Sequence, residues 1–173
     1  MTPLFPKFEK VSFEQYLDAV LGDIYFPSTN EEDIRKVYDE IQLPRRATSG
    51  SAGYDFFVPT DTVLTDCRPR IIATGIRVLL PPGTFLMCVP RSGLGFKHGV
   101  RLRNGTGIID EDYAFSSNEG HIMASMTTES PIALRAGERF MQGIILPYAV
   151  TGDDNPIAER RDGGFGSTDG DRA

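Results

Sequence analysis

A carboxylate that follows a short apolar run is the first feature of this chain that could do chemistry. Residues 107–113 read Gly-Ile-Ile-Asp-Glu-Asp-Tyr, so Asp110 comes directly after two isoleucines and shortly before Tyr113. A carboxylate held at the end of a hydrophobic strand can act as a general base. Asn104 and Gly105, just upstream, tolerate the positive φ angles of tight hairpin turns. We therefore expect a β-hairpin with its polar groups near the turn, although such residues, taken alone, more often only solvate a loop.

A second stretch contains side chains that can bind phosphate. Residues 90–99 place Arg91 and Ser92 before two glycines, Gly93 and Gly95. A guanidinium and a hydroxyl beside exposed backbone amides can bind phosphate oxygens, and glycine allows the backbone to approach them closely. A glycine-rich turn after a strand explains the same residues without any ligand.

Five stretches in order resemble the five motifs of the trimeric dUTP diphosphatase (dUTPase) family. They are residues 51–55, 90–99, 104–113, 137–142 and 163–168. Each motif match is weak evidence when taken alone, but five matches in the same order are hard to obtain by chance. The resemblance implies a distorted β-barrel of jelly-roll type, a homotrimer whose active sites combine motifs from three chains, and Mg²⁺-assisted hydrolysis of dUTP to dUMP and diphosphate.

The resemblance also implies roles for the residues around the turn. Asp110 would orient and deprotonate the attacking water, as a general base. Tyr113 would lie under the deoxyribose and leave no room for a 2′-hydroxyl. Asn104 and the backbone at Gly107 would pair with the uracil edge, in a space too narrow for a thymine methyl group.

The same resemblance implies which residues form the region that binds the phosphates and magnesium. Arg91, Ser92 and Gly93 match the phosphate-binding motif. Asp55 and Gln142 match polar positions that support the phosphates and the Mg²⁺ ion, with contacts that pass through water. The ion itself would be held mainly by the substrate phosphates.

The C-terminal stretch resembles the arm that closes over the bound nucleotide in this family. Arg160 and the Ser167-Thr168 pair would bind the γ-phosphate, and Phe165 would stack on the uracil beside Gly166. The stretch is rich in Gly and Asp, so it cannot build a core of its own and is expected to be flexible without ligand.

The chain departs from the family pattern in three places. Residues 114–120 are longer than the usual Arg-Gly turn after Tyr113 and lack its arginine. Arg161 and Asp169 stand where glycines are common, and these differences bear on the γ-phosphate contacts. The helical N-terminus has no counterpart in the five motifs.

Two other functions stay open at the level of sequence. A dCTP deaminase, alone or bifunctional, shares the fold but needs a catalytic glutamate after the turn, for which Glu119 and Glu129 are the candidates. A non-catalytic nucleotide-sensing or partner-binding protein could use the N-terminal helices instead.

The elements that must position these residues fall into three regions. Residues 1–43 predict two amphipathic helices, one with apolar positions from Phe13 to Ile24 after a Ser12 cap and one capped by Asn30. Residues 44–150 contain many short apolar runs fenced by Gly, Pro, Asp and Asn, which predicts an all-β barrel or sandwich. Residues 151–173 form the arm.

Composition narrows the class of protein. The 173 residues carry a net charge of −6, of which residues 1–43 contribute −5 (4 basic against 9 acidic residues), so binding to duplex nucleic acid is not expected. The sequence has neither a run of apolar residues long enough to cross a membrane nor a signal-peptide pattern, so we expect a cytoplasmic protein. Cys67 and Cys88 are interpreted as reduced structural thiols, and His98 and His121 are too isolated to predict a zinc site.

Overall fold

Short strands dominate the described part of the chain, which comprises residues 5–23, 26–66 and 68–156 of a computed structural model. Its helices are α1 (Phe13–Leu21), α2 (Glu31–Glu40) and α3 (Ser92–His98). Its strands are β1 (Lys7–Lys10), β2 (Arg45–Arg46), β3 (Tyr54–Phe57), β4 (Thr62–Leu64), β5 (Arg70–Ala73), β6 (Ile76–Leu79), β7 (Thr84–Pro90), β8 (Arg101–Leu102), β9 (Gly107–Ile109), β10 (Met123–Thr127), β11 (Ile132–Leu134) and β12 (Arg139–Pro147). A 3₁₀ turn covers Tyr113–Phe115.

The two N-terminal helices begin at the caps that the sequence predicts. The Ser12 hydroxyl accepts a hydrogen bond from the Gln15 N–H at 3.1 Å, and the Asn30 side chain accepts one from the Glu32 N–H at 2.8 Å. These bonds satisfy N–H groups that have no partner within the helix. Helix α1 ends at Leu21, earlier than the apolar pattern predicts, and Ile24 lies outside the described residues.

The largest sheet has the strand order β2-β3-β12-β7-β9. The other sheets are β5-β10-β8, β1-β6 and β4-β11, and every strand pair is antiparallel. The apolar run at residues 71–80 is divided into β5 and β6 by a turn at Gly75, where φ is +68°. This antiparallel arrangement confirms the all-β class that the sequence predicts for residues 44–150, and it agrees with the jelly-roll barrel that the resemblance implies.

The N-terminal region shares one core with the strands. Strand β1, which the sequence did not predict, pairs with β6. Tyr16 of α1 and Ile34 of α2 are fully buried in the same cluster as Phe56 and Phe140 of the large sheet. The helices are therefore part of the packed domain. The division of the chain at residues 43 and 150 stays a prediction.

The expected β-hairpin is only partly correct. Asn104 and Gly105 do form a tight turn, with φ of +77° at Gly105, and a single bridge joins Leu102 to Gly105. The flanking strands then separate, since β8 pairs with β10 and β9 pairs with β7. A Cβ at Gly107 would lie 3.1 Å from the Cys88 Cβ, so β9 packs closely on β7.

None of the helices in the described ranges has the length and apolar character needed to cross a membrane. Burial raises the pKa of the Cys88 thiol to about 12, which agrees with a structural role. Cys67 lies outside the described residues.

We predict that His121 makes stability depend on pH. Its Nε2 accepts the Gly75 N–H at 2.8 Å, and burial lowers its pKa from 6.5 to about 4. Between these two pKa values the imidazole of His121 binds a proton in the unfolded chain but not in the folded chain. The free energy of unfolding therefore falls by about 3 kcal/mol as the pH falls from 6.5 to 4. Urea unfolding across this pH range should show the loss in the wild type and a flatter profile in His121→Gln. His98→Gln is the control, and equal slopes in all three proteins would contradict the assignment.

Candidate active site

The predicted site residues of the described region lie in and around two separate clefts. The first, of about 850 Å³, is lined by Asp55, Arg91 and Gly93 among others. The second, of about 570 Å³, is lined by Asn104, Gly107 and Tyr113 among others. Among the described residues, none lines both clefts.

A buried carboxylate organises the first cleft. Asp55 on β3 is 6% exposed, and its Oδ2 accepts hydrogen bonds from Arg91 at 3.0 Å and from Arg139 at 3.3 Å. Both guanidinium groups remain partly exposed, so each keeps N–H groups that face the cleft. The carboxylate thereby fixes two cations side by side.

The first cleft is strongly cationic in an acidic protein. Its lining includes two acidic residues, Asp55 and Glu138, against five cationic ones. The cationic residues are Arg45, Arg46, Arg91, Lys97 and Arg139. A concave surface with this excess of positive charge attracts anions such as phosphates.

The glycine-rich stretch after β7 is a short helix and not a simple turn. Helix α3 begins at Ser92, so the Ser92 and Gly93 N–H groups lie in its first turn, where they have no carbonyl partner within the helix. Both residues are exposed, and a Cβ at Gly93 would meet no atom within 4 Å. The backbone at this point is open to a ligand.

Gln142 lies beside Asp55 on the neighbouring strand. The two residues are directly paired between β12 and β3, which places their side chains on one face of the sheet. A Cβ at Gly53 would lie 2.5 Å from the Gln142 Oε1, so the missing side chain of Gly53 makes room for this amide. The first and fourth predicted motifs are therefore in contact.

The second cleft is mainly apolar. Apart from Asn104, Gly107 and Tyr113, it is lined by Cys88, Leu102, Arg103, Ile108, Ile109, Ile122, Met123, Ser125 and Met141. Tyr113 is buried, with 5% of the residue exposed, and its hydroxyl donates to the His121 carbonyl at 3.1 Å. A flat, apolar ligand with a few polar edge groups fits such a cleft.

Asp110 follows the last residue of β9 and is half-buried at the edge of the second cleft. Its carbonyl accepts the Tyr113 N–H at 3.2 Å, which holds the segment in a turn. The neighbouring Glu111 points elsewhere, because its carboxylate accepts the Gly83 N–H and the Tyr148 hydroxyl. Asp110 is thus the carboxylate of this segment that directly follows a cleft-lining residue, Ile109.

The strand register separates Asp110 from Arg91 within one chain. Leu86 of β7 lies opposite Ile109 of β9, so Asp110 is level with Phe85. Arg91 directly follows β7, six residues beyond Phe85, and at the usual rise per residue of an extended chain this amounts to about 20 Å. The two groups cannot both contact neighbouring phosphates of one nucleotide from the same chain.

The structure adds Arg139 to the residues that sequence reasoning found. In the motif at residues 137–142 the sequence predicted a role for Gln142 only. Arg139 reaches Asp55 because β12 pairs with β3, and this pairing of distant segments cannot be predicted from the motif alone. Arg160, Phe165, Gly166, Ser167 and Thr168 lie outside the described residues.

Neither glutamate that a deaminase would require lines the second cleft. The Glu119 carboxylate accepts hydrogen bonds from the Ser12 N–H and hydroxyl. Glu129 is exposed and pairs with Arg101 at 3.3 Å. The geometry gives the deaminase alternative no support.

Comparisons with known proteins agree with the resemblance seen in the sequence. A family model described as dUTPase matches residues 39–169. The deoxyuridine 5′-triphosphate nucleotidohydrolase of Lactococcus lactis subsp. lactis is 37% identical over 132 residues, which cover 74% of this chain and 88% of that protein. The crystal structure of a dUTPase from Streptococcus mutans superposes with a TM-score of 0.59 at 37% identity, covering 65% of this chain and 91% of that one.

A dUTPase variant from phage phi11 of S. aureus, whose structure shows the coordination of a structural Mg(II) ion, has a TM-score of 0.55 at 20% identity. The match covers 68% of this chain and 90% of that chain. At this identity the similarity shows the fold alone.

We predict that Asp55→Asn destabilises the chain by about 1–2 kcal/mol, because it removes the charge that holds two guanidinium groups in place. Urea unfolding at pH 7.5 measures the effect. Asp18→Asn, an exposed position on α1, is the matched control and should change stability by less than about 0.5 kcal/mol. Equal effects of the two substitutions would contradict a central role for Asp55 in the first cleft.

Proposed function

Because the chain belongs to the dUTPase family and hydrolyses dUTP to dUMP and diphosphate, we propose that Asp110 is the general base of this reaction. Asp110 takes a proton from a water molecule while the water oxygen attacks the α-phosphorus. The bond from that phosphorus to the oxygen bridging the α- and β-phosphates breaks, and diphosphate leaves with the electron pair. The reaction depends on position and charge rather than on a covalent enzyme intermediate.

The second cleft is proposed to bind the nucleoside. Its apolar lining suits a pyrimidine ring, and the exposed Asn104 with the backbone at Gly107 can pair with the polar edge of uracil. The buried, hydrogen-bonded ring of Tyr113 then lies against the deoxyribose and excludes a 2′-hydroxyl by contact. Support for this role comes from the fixed orientation of the tyrosine.

The first cleft is proposed to bind the phosphates. Arg91, with the hydroxyl of Ser92 and the open backbone at Gly93, binds the phosphate oxygens and stabilises the leaving diphosphate. Arg139, held by the same carboxylate as Arg91, adds a second guanidinium. The single observation that carries the assignment is this pair of arginines fixed on Asp55 in a cationic cleft.

The donor groups of the first cleft fit Mg²⁺ held mainly by substrate phosphates. Within the described ranges no group of three or more His, Cys, Asp or Glu side chains could hold a metal ion. Asp55 uses Oδ2 for its arginines, so Oδ1 and the nearby Gln142 amide can bind water molecules of the ion. When bound, Mg²⁺ supplies positive charge to the phosphate oxygens.

We further propose a homotrimer in which each active site combines residues of different chains. The distance of about 20 Å between Asp110 and Arg91 in one chain supports this arrangement, since one triphosphate cannot contact both. The 92% exposed ring of Phe96 in α3, next to the first cleft, offers an apolar surface for such a contact. The arm with Arg160, Phe165, Gly166, Ser167 and Thr168 is proposed to close over the nucleotide, and a cytoplasmic location stays a prediction.

We predict that Asp110→Asn lowers kcat for dUTP by about 10²–10⁴-fold while dUTP still binds, because the amide cannot accept the proton of the water. Diphosphate release with Mg²⁺ measures turnover, and calorimetric titration with a non-hydrolysable dUTP analogue measures binding. Asp112→Asn, two residues further on, is the control and should retain activity. A variant Asp110→Asn with wild-type kcat would overturn the assignment.

A further inference from the structure

Tyr113 is held by a loop that is longer than the turn that usually follows this tyrosine in the family pattern. The Asn118 Nδ2 donates to the Tyr113 hydroxyl at 2.9 Å, and that hydroxyl donates to the His121 carbonyl at 3.1 Å. Both bonds come from the segment that follows Tyr113 in the sequence. The position of the ring therefore depends on how residues 114–121 fold.

The orientation of Asn118 is fixed by its own partners. Its Oδ1 accepts the Gly120 N–H at 3.1 Å and the Ser116 hydroxyl at 2.7 Å. Because the oxygen faces these donors, the amide nitrogen must face Tyr113. The loop thus presents a donor, and not an acceptor, to the tyrosine.

Two successive left-handed residues close this loop. Glu119 has φ of +57°, the one non-glycine residue with positive φ in the described chain, and Gly120 has φ of +72°. A Cβ at Gly120 would lie 2.6 Å from the Ala114 Cα and 2.8 Å from the Tyr113 carbonyl oxygen. The loop packs backbone against backbone beneath Tyr113, and a left-handed glutamate costs about 1–2 kcal/mol.

The cost at Glu119 is offset by bonds to helix α1. Glu119 Oε2 accepts the Ser12 N–H at 2.7 Å, and Oε1 accepts the Ser12 hydroxyl at 2.6 Å. Burial raises the pKa of Glu119, but the hydrogen bonds from Ser12 outweigh it, so the pKa lies below 4.5 and the carboxylate is charged at neutral pH. Charge-assisted bonds of this length are among the stronger ones in proteins.

Ser12 has a fixed position because it caps helix α1, which is packed into the core. Phe13, Tyr16 and Val20 of this helix are all at most 6% exposed. The Ser12 hydroxyl also accepts the Gln15 N–H, so one side chain caps the helix and holds Glu119.

We propose that Ser12, Asn118 and Glu119 form a clamp that positions Tyr113, so that the N-terminal helix helps to set how strictly the active site excludes ribonucleotides. The inference rests on the proposed contact of Tyr113 with the deoxyribose. The three residues are positioning residues: they touch the tyrosine or one another and not the substrate.

Glu119→Gly tests the clamp. Glycine adopts the left-handed conformation without strain but removes the carboxylate, so the loop backbone is relieved while the bond to Ser12 is lost. We expect the ratio of kcat/KM for dUTP to kcat/KM for UTP to fall roughly tenfold or more. Glu119→Gln keeps an acceptor for the Ser12 N–H and should retain most of the discrimination.

Glu14→Gln is the matched control. It removes a carboxylate from the first turn of the same helix, at an exposed position, and should leave the ratio unchanged. If Glu119→Gly does not fold, Ser12→Ala tests the clamp instead, because it removes the hydrogen bond from the Ser12 hydroxyl to the Glu119 carboxylate. An unchanged dUTP/UTP ratio in the folded variant would overturn the clamp.

Tyr113→Ala separates failure of the clamp from failure of the underlying role. Loss of discrimination in Tyr113→Ala but not in Glu119→Gly or Ser12→Ala overturns the clamp alone. Full discrimination in Tyr113→Ala overturns the contact with the sugar and the clamp with it. Loss in Tyr113→Ala and in Glu119→Gly, with Glu14→Gln unaffected, supports both.

Discussion

The position of β7 between β12 and β9 is the constraint on which the site depends. Strand β7 pairs with β12, and β12 pairs with β3. These pairings bring Arg91, which directly follows β7, to Asp55. Pairing with β9 places Asp110 at the other end of the same strand. One strand thus separates Arg91 from Asp110, and this separation supports the proposal that another copy of the chain completes the site.

The charged residues are distributed differently between the two clefts. The protein carries a net charge of −6, yet its first cleft is lined by five cationic residues against two acidic ones. The buried Asp55 keeps two of these cations in fixed positions and partly neutralises them, which limits their repulsion before substrate binds. The apolar second cleft is separate, so under the proposed function the nucleoside and the phosphates bind to different surfaces.

The parts of this molecule that depend on neighbouring residues could be predicted from the sequence, and those that depend on distant pairing could not. The caps at Ser12 and Asn30 follow from local side-chain bonds, and Arg91 and Asp110 belong to motifs read in a single stretch. The Arg139–Asp55 and Ser12–Glu119 contacts join residues 84 and 107 positions apart. The turn at Asn104 was predictable from its local residues, but the pairing of its two strands with β10 and β7 was not, because those partners are distant in sequence.

The most direct test of a shared active site is to mix two inactive variants. Arg91→Ala and Asp110→Asn would be unfolded together at equal concentration, refolded, and assayed for diphosphate release from dUTP. If each site takes its base from one chain and its phosphate-binding arginine from another, random assembly restores about a quarter of the sites. Activity no greater than that of either variant refolded alone would show that both groups act within one chain and would contradict the account.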